Sequence, residues 1–300
     1  MTSMGLRLGI ISLLQIVIGT LGNFSLLFHH ACLYFSGFRS RSTDLIVRHL
    51  TVANSLVIVS RGIPEVMAEF GVECFLNDLG CKLVFYIHRV ARGVSVTTTC
   101  FLSILQYIII SPRNSRWGEL RVKAQKYIGP FNILCWVLHM LLNIRAPMLI
   151  TDKWSNNNVS RGIEFLYCSV VLQDKDTDSV FAALIFSHDI LCLELMIWGS
   201  GSMVFILHRH MQHVHHIHGH HVSSRPSSET RAIQNILVLA SAFIFSYALS
   251  SISHVCFSLF DKTAWWLVHT SAFINACFPT ASPFILMRRE HCVSRHTWRK

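Results

Sequence analysis

Seven long apolar runs separated by short polar segments divide this chain, covering residues 6–28, 45–67, 83–110, 128–150, 180–207, 233–260 and 265–287. A helix needs about 20 residues to cross the hydrocarbon of a bilayer, and lipid leaves no place for open strand edges. Each run therefore predicts a transmembrane helix. The pattern as a whole predicts an all-α membrane protein, a seven-transmembrane-helix bundle forming a single domain over residues 1–300. Its core is the volume between helices, because lipid replaces water outside.

Composition sharpens this picture. At 52% hydrophobic and 14% charged residues the chain is too apolar for a soluble domain of its length. The formal charge of +10 would suggest nucleic acid, but most of the basic residues sit at or between the ends of the runs and alternate from side to side, so they encode topology and no nucleic-acid partner is expected. One set of loops carries Arg39, Arg41 and Arg48, then Arg113, Arg116, Arg121, Lys123 and Lys126, then Arg209, Arg225 and Arg231, then Arg288, Arg289, Arg295, Arg299 and Lys300. The other set carries Glu65, Glu69, Glu73 and Asp78, then Asp152, Glu164, Asp174, Asp176 and Asp178. The positive-inside bias puts the amino terminus outside and the carboxyl tail in the cytosol. The first run is too long for a signal h-region and lacks a small-x-small cleavage site, so it reads as a retained helix.

Ten cysteines fit that orientation. Cys81, at the outer start of the third span, and Cys168, in the outer loop before the fifth, share an oxidising side and are expected to form a disulfide, with Cys74 as a rival partner. Asn158-Val159-Ser160 in the same outer loop is a glycosylation sequon, whereas Asn23-Phe24-Ser25 lies inside a span and is discounted. The third inside loop concentrates His208, His210, His213, His215, His216, His218, His220 and His221. Such density can bind zinc or copper, but no carboxylate or thiolate completes a defined site, so no metal and no cofactor is expected.

Polar residues inside the spans are costly unless they face the bundle or water. In the third span His88, Arg92, Ser95, Thr99, Ser103 and Gln106 recur every three or four residues and form one inward stripe. Its outer third is cationic, and His88, Arg89, Arg92 and Ser95 are the candidate ligand-facing residues, Arg89 serving equally well as an interfacial anchor. Glu194 in the fifth span and Arg145 in the fourth need partners, and Glu194 is expected either to join the ligand site or to neutralise Arg92. Asn23, Asn54 and Asn275 read as links between helices. Pro279 and Pro283 in the last span each delete a backbone hydrogen bond and predict a bend.

Several stretches together resemble the vomeronasal type-1 receptors. They are Gly22-Asn23; Arg48-His49-Leu50-Thr51-Val52-Ala53-Asn54-Ser55; Gly80-Cys81-Lys82-Leu83-Val84-Phe85-Tyr86; His88-Arg89-Val90; Arg92-Gly93-Val94-Ser95; Thr98-Thr99-Cys100; Ile110-Ser111-Pro112-Arg113-Asn114-Ser115-Arg116-Trp117; and Ala276-Cys277-Phe278-Pro279-Thr280 with Ser282-Pro283-Phe284. Lys153-Trp154-Ser155-Asn156 and the stretch from Gly201 to His210 fit as well. The resemblance covers nearly the whole chain. It implies a G-protein-coupled receptor, distantly similar to rhodopsin-like receptors, that binds a small pheromone-like ligand in the plasma membrane of vomeronasal sensory neurons and activates a heterotrimeric G protein of the inhibitory class.

The acidic-Arg-Tyr triplet of rhodopsin-like receptors is replaced around Ile104-Leu105-Gln106, and Phe278-Pro279-Thr280 stands where an Asn-Pro-x-x-Tyr pattern would lie. Coupling is therefore expected to rest on Arg116, Arg121 and Lys123 of the second inside loop and Arg231 at the start of the sixth span, with Gln106 and Arg231 as candidate restraints. Rival functions are a bitter-taste-like chemoreceptor and, in a different class, a metal transporter using the His-rich loop. An odd number of spans without paired discontinuous segments argues against transport. No span combines a nucleophile, a base and an orienting group, so an enzyme is not expected.

Overall fold

A computed structural model describes residues 3–37, 42–72, 75–111, 117–152, 162–164, 168–171, 175–218, 234, 237–249 and 265–297. The helices are α1 (Ser3–Phe35), α2 (Ser42–Glu69), α3 (Asp78–Ile110), α4 (Trp117–Leu142), α5 (Lys175–His218), α6 (Leu237–Leu249) and α7 (Trp265–Thr297). Four meet a strict length-and-hydropathy test for crossing a bilayer: Gly9–Phe35, Asp78–Ile110, Lys123–Met148 and Ala183–Arg209.

The apolar surface is turned outward. Phe24, Phe28, Leu134, Leu141, Phe186, Ile197, Phe205 and Phe245 are all exposed. A water-soluble domain rarely presents so much contiguous apolar surface, and hydrocarbon is the solvent that suits it.

Inside, α3 is the central column. It packs against α2, α4 and α5, while α1 packs on α2 and α7. Its burial extends to nearly every face between Val90 and Ile108. Local chemistry fixes its ends: the Asn77 side chain accepts from the Gly80 N–H at 2.8 Å as an N-cap, and Asp78 in the first turn suits the positive helix end. Beyond Ser111 the chain meets Pro112, which disfavours a further helical residue before it. Gly93 allows α4 to come close, because a Cβ there would collide with the His139 ring.

Two expectations need correction. The fourth run was expected to be helical to residue 150, but α4 ends at Leu142. Pro147, which cannot donate a backbone bond, sits instead in a 3-10 turn, Ala146–Leu149. Three short strands also lie in the loop before α5, β1 (Ile150–Asp152), β2 (Gly162–Glu164) and β3 (Cys168–Val171), arranged antiparallel in the order β1-β3-β2. The β1 and β3 strands pair in register from Ile150 opposite Val170 to Asp152 opposite Cys168.

This small sheet sits over the beginning of α3. Cys81 and Cys168 are both fully buried and joined by a disulfide, packed with Ile150, Leu76 and Phe85. A disulfide typically stabilises by about 2 to 4 kcal/mol.

Candidate ligand site

The α3 stripe does face inward, but its members divide their work. Thr99 donates to the Ser95 carbonyl at 2.8 Å and Ser103 to the Thr99 carbonyl at 3.0 Å, so both hydroxyls are satisfied within their own helix. Ser95 reaches across. It donates to Asn54 Oδ1 at 2.7 Å, and Asn54 Nδ2 donates to Ser282 Oγ on α7 at 2.7 Å.

The prolines of α7 explain the next link. Pro283 has no N–H to give the carbonyl of Pro279, and Asn23 of α1 takes that place, donating from Nδ2 at 3.0 Å. Ser282 also donates to it, at 3.3 Å. Asn23 and Asn54 thus act as links between helices, as their neutral amides suggested.

Above this framework, in the half of the bundle that begins at Cys81, two cavities flank α3. The first holds about 460 Å³ of atom-free space and is lined by His88, Arg92 and Ser95 of α3 together with Val57, Phe243, Tyr247, Asn275 and Phe278 of α2, α6 and α7. The second, about 450 Å³, lies between α3, α4 and α5 and is lined by Arg89, His139, Asn143, His188 and Asp189, with His88 and Arg92 again at its edge. A smaller space toward α1 meets Gln15, Arg61, Glu65 and Thr280, and His88 lines that too.

The acid that faces Arg92 is Asp189. Its Oδ2 lies 3.9 Å from Arg92 Nη2 and accepts from the Tyr247 hydroxyl at 3.3 Å, while His188 Nδ1 is 3.2 Å from Oδ1. The Arg92 guanidinium also stands 5.6 Å from the Tyr247 ring centroid. Glu194, expected in this place, is exposed and lines none of these three cavities. Helix geometry explains the substitution: five residues along α5 turn a side chain by about 140°, so Asp189 and Glu194 cannot share a face. The inward face of α5 is Asp189, Cys192, Met196, Gly199 and Met203. Arg145 also finds a partner other than Glu194, with its guanidinium 5.6 Å from the Phe181 ring centroid.

Thr97, outside the stripe, joins the two histidines of the second cavity. Its hydroxyl lies 2.8 Å from His139 Nε2 and 3.1 Å from His188 Nε2. Cys192 Sγ is 3.5 Å from His188 Nε2, so a thiol, a base and an acid do meet here, contrary to the expectation from spacing. The thiol is buried and lines neither large cavity. Among the described residues no group of three His, Cys, Asp or Glu side chains is arranged to hold a metal ion.

Of the residues expected to couple to a G protein, Lys123 is exposed near the start of α4 and Arg121 lies on the first turns of that helix, while Arg116 and Arg231 fall outside the described residues. Gln106 is buried on α3. Cys74, Asn158, His220 and His221 also lie outside the described residues.

A seven-helix bundle with an apolar exterior, a buried polar framework, cavities flanking α3 and a disulfide-tethered loop defines the class as a seven-transmembrane receptor. The chain matches the vomeronasal organ pheromone receptor family over residues 6–299, and it belongs to that family. It is 55% identical over 95% of its length to human vomeronasal type-1 receptor 2, covering 72% of that protein. It is 50% identical to human vomeronasal type-1 receptor 4, over 94% of this chain and 93% of that one. Mouse vomeronasal type-1 receptor 45 is more distant, at 32% identity over 92% of this chain and 86% of that one. The family is one of receptors, not enzymes, and the bitter-taste and transporter readings fall with it.

Proposed function

We propose that this receptor binds a small chemosensory ligand in the half of the bundle nearest the disulfide and activates an inhibitory-class heterotrimeric G protein from the plasma membrane. The observation that carries the ligand site is the position of His88 and Arg92, which line both large cavities, with Ser95 in the first and Arg89 in the second. Charged side chains this deep in a spanning helix serve function as a rule. In this reading Glu194 is an exposed residue outside the site, and Asp189 takes its place opposite Arg92.

The amino terminus is outside and the tail cytosolic, on the charge asymmetry of the loops. Asn158 then carries its glycan on the outer loop, and Arg116, Arg121, Lys123 and Arg231 meet the G protein. Cells expressing the chain and challenged with fractionated urine or gland secretion should lower cyclic AMP through a pertussis-toxin-sensitive route. Silence across fractions at good surface expression contradicts the proposal. An epitope within residues 156–160 should be reachable on intact cells and one after Arg295 only after permeabilisation; the reverse pattern contradicts the orientation.

A further inference from the structure

We infer that Thr97 is a positioning residue of the ligand site: its hydroxyl holds His188 as a doubly protonated ring, and that ring holds Asp189 in place opposite Arg92. The inference rests on the ligand site proposed above and names the device that sets its carboxylate.

Thr97 lines none of the three cavities, yet its oxygen is a junction of three helices. It donates to the Gly93 carbonyl one turn back on α3 at 3.1 Å, and it lies 2.8 Å from His139 Nε2 of α4 and 3.1 Å from His188 Nε2 of α5. A hydroxyl has one hydrogen to give and two lone pairs to receive. With its hydrogen on Gly93, Thr97 can bond to both rings only as an acceptor, from an N–H at each Nε2. A bare Nε2 on His188 would instead face the Thr97 oxygen lone pair to lone pair. The other ring nitrogen of His188, Nδ1, lies 3.2 Å from Asp189 Oδ1. The Arg92 guanidinium and the Tyr247 hydroxyl both bring hydrogens to Oδ2 of that group, which suits an ionised carboxylate, and such oxygens only accept. Nδ1 therefore carries a hydrogen too. His188 then has an N–H on both sides, with the Cys192 sulfur, 3.5 Å from Nε2, as a second and weaker acceptor.

Neighbours in sequence on a helix do not face one another, so His188 reaches the Asp189 carboxylate only if its ring is turned and kept there. Thr97 supplies that hold from α3, and His139 flanks it from α4, the two ring centroids 4.9 Å apart. With Oδ1 engaged by His188, Oδ2 is left for Tyr247 at 3.3 Å and Arg92 at 3.9 Å. Arg89 is a further cation within electrostatic reach of the same carboxylate. A carboxylate among several cations turns toward whichever is best placed, so fixing one of its oxygens fixes what the other can meet.

Full-length receptor carrying nitrogen-15-labelled histidine is placed in lipid nanodiscs, and the His188 ring signals, identified by their loss in His188→Gln, are read by solid-state NMR at neutral pH. Both ring nitrogens should be protonated; a ring nitrogen without a hydrogen overturns the inference. The coupling between Arg92→Gln and Asp189→Asn in unfolding midpoint is then compared with that of the same pair in three backgrounds. Thr97→Ser, which keeps the hydroxyl, should keep the coupling. Thr97→Val, which keeps the shape without the hydroxyl, should lower it by about half or more, beyond any fall in the midpoint itself. His188→Gln should do the same, and it decides the test where Thr97→Val does not fold. A Thr97 that merely stabilised the bundle would lower the midpoint and leave the coupling intact, so unchanged coupling in Thr97→Val or His188→Gln overturns the inference, as does an absence of coupling in the unmodified receptor. No ligand and no G protein enter the measurement, so silence of the receptor toward every secretion would leave this result standing, and a failure here would leave the receptor reading intact.

Discussion

Two polar clusters lie within a few turns of each other on α3 and are built on opposite terms. The first, Asn23, Asn54, Ser95 and Ser282, contains no charge, and its bonds between helices are 2.7 to 3.0 Å long. The second, Arg92, Asp189, His188 and Tyr247, is charged and looser, with separations of 3.2 to 3.9 Å, beside open cavities. Neutral groups hydrogen-bonded across a low-dielectric interior hold helices at fixed positions. Charged groups at longer range next to empty space are easily re-partnered. One end of the α3 stripe is therefore framework, and the other is where, in the function proposed above, an arriving ligand changes the contacts.

The largest effect should come from the tether above both clusters. Cys81→Ser frees the sheet from α3 and should cost about 2 to 4 kcal/mol, seen as a lower unfolding midpoint and poor surface delivery. An unchanged midpoint would mean that the loop is held by its strands alone.

Within the framework cluster, Asn54→Ala removes the Ser95 and Ser282 links together and should cost about 1 to 3 kcal/mol, with surface expression falling in step. Ser95→Ala removes one link and should cost about 1 kcal/mol or less. If Asn54→Ala were as mild as Ser95→Ala, the framework would not be the fixed element described here.

A smaller effect belongs to the face proposed to be cytosolic. Replacing Arg121 and Lys123 with alanine should reduce G-protein activation several-fold at equal surface expression and leave ligand binding nearly intact, because Lys123 lines none of the cavities. Unchanged activation would move the coupling surface elsewhere. Smallest of all on the site, Glu194→Gln should leave ligand binding unchanged, as an exposed side chain outside both clusters, while raising the unfolding midpoint, because an exposed charge midway along a spanning helix faces hydrocarbon.

Much of this was legible in the amino-acid order, for identifiable reasons. The apolar runs marked the helices because span length is set by the bilayer, and Cys81 with Cys168 stood out by side and compartment. The 3.6-residue recurrence from His88 to Gln106 marked the inward face of α3. On α5 the same reasoning fails: the helix is apolar nearly all round, so no periodic contrast separates Asp189 from Glu194, and only packing against α3 and α6 distinguishes them. The inward spacing of Asp189, Cys192, Met196, Gly199 and Met203 was present, but none of these residues differs enough from its neighbours to reveal it. Thr97 was missed because it lies off the stripe and acts through two histidines from other helices. The end of α4 at Leu142 was hidden because residues 143–150 are nearly as apolar as a helix would need, and Pro147 was the clearest signal against it.

The central claim is that Arg92 and Asp189 face each other at the ligand site and that Glu194 stands apart. A double-mutant cycle on receptor surface delivery and unfolding midpoint tests it most directly. Arg92→Gln and Asp189→Asn should each lower both measures, and the double change should recover a substantial part of the loss, a coupling of about 0.5 to 3 kcal/mol. Arg92→Gln combined with Glu194→Gln should show none. Recovery with Glu194→Gln, or strict additivity of Arg92→Gln and Asp189→Asn, would contradict the account.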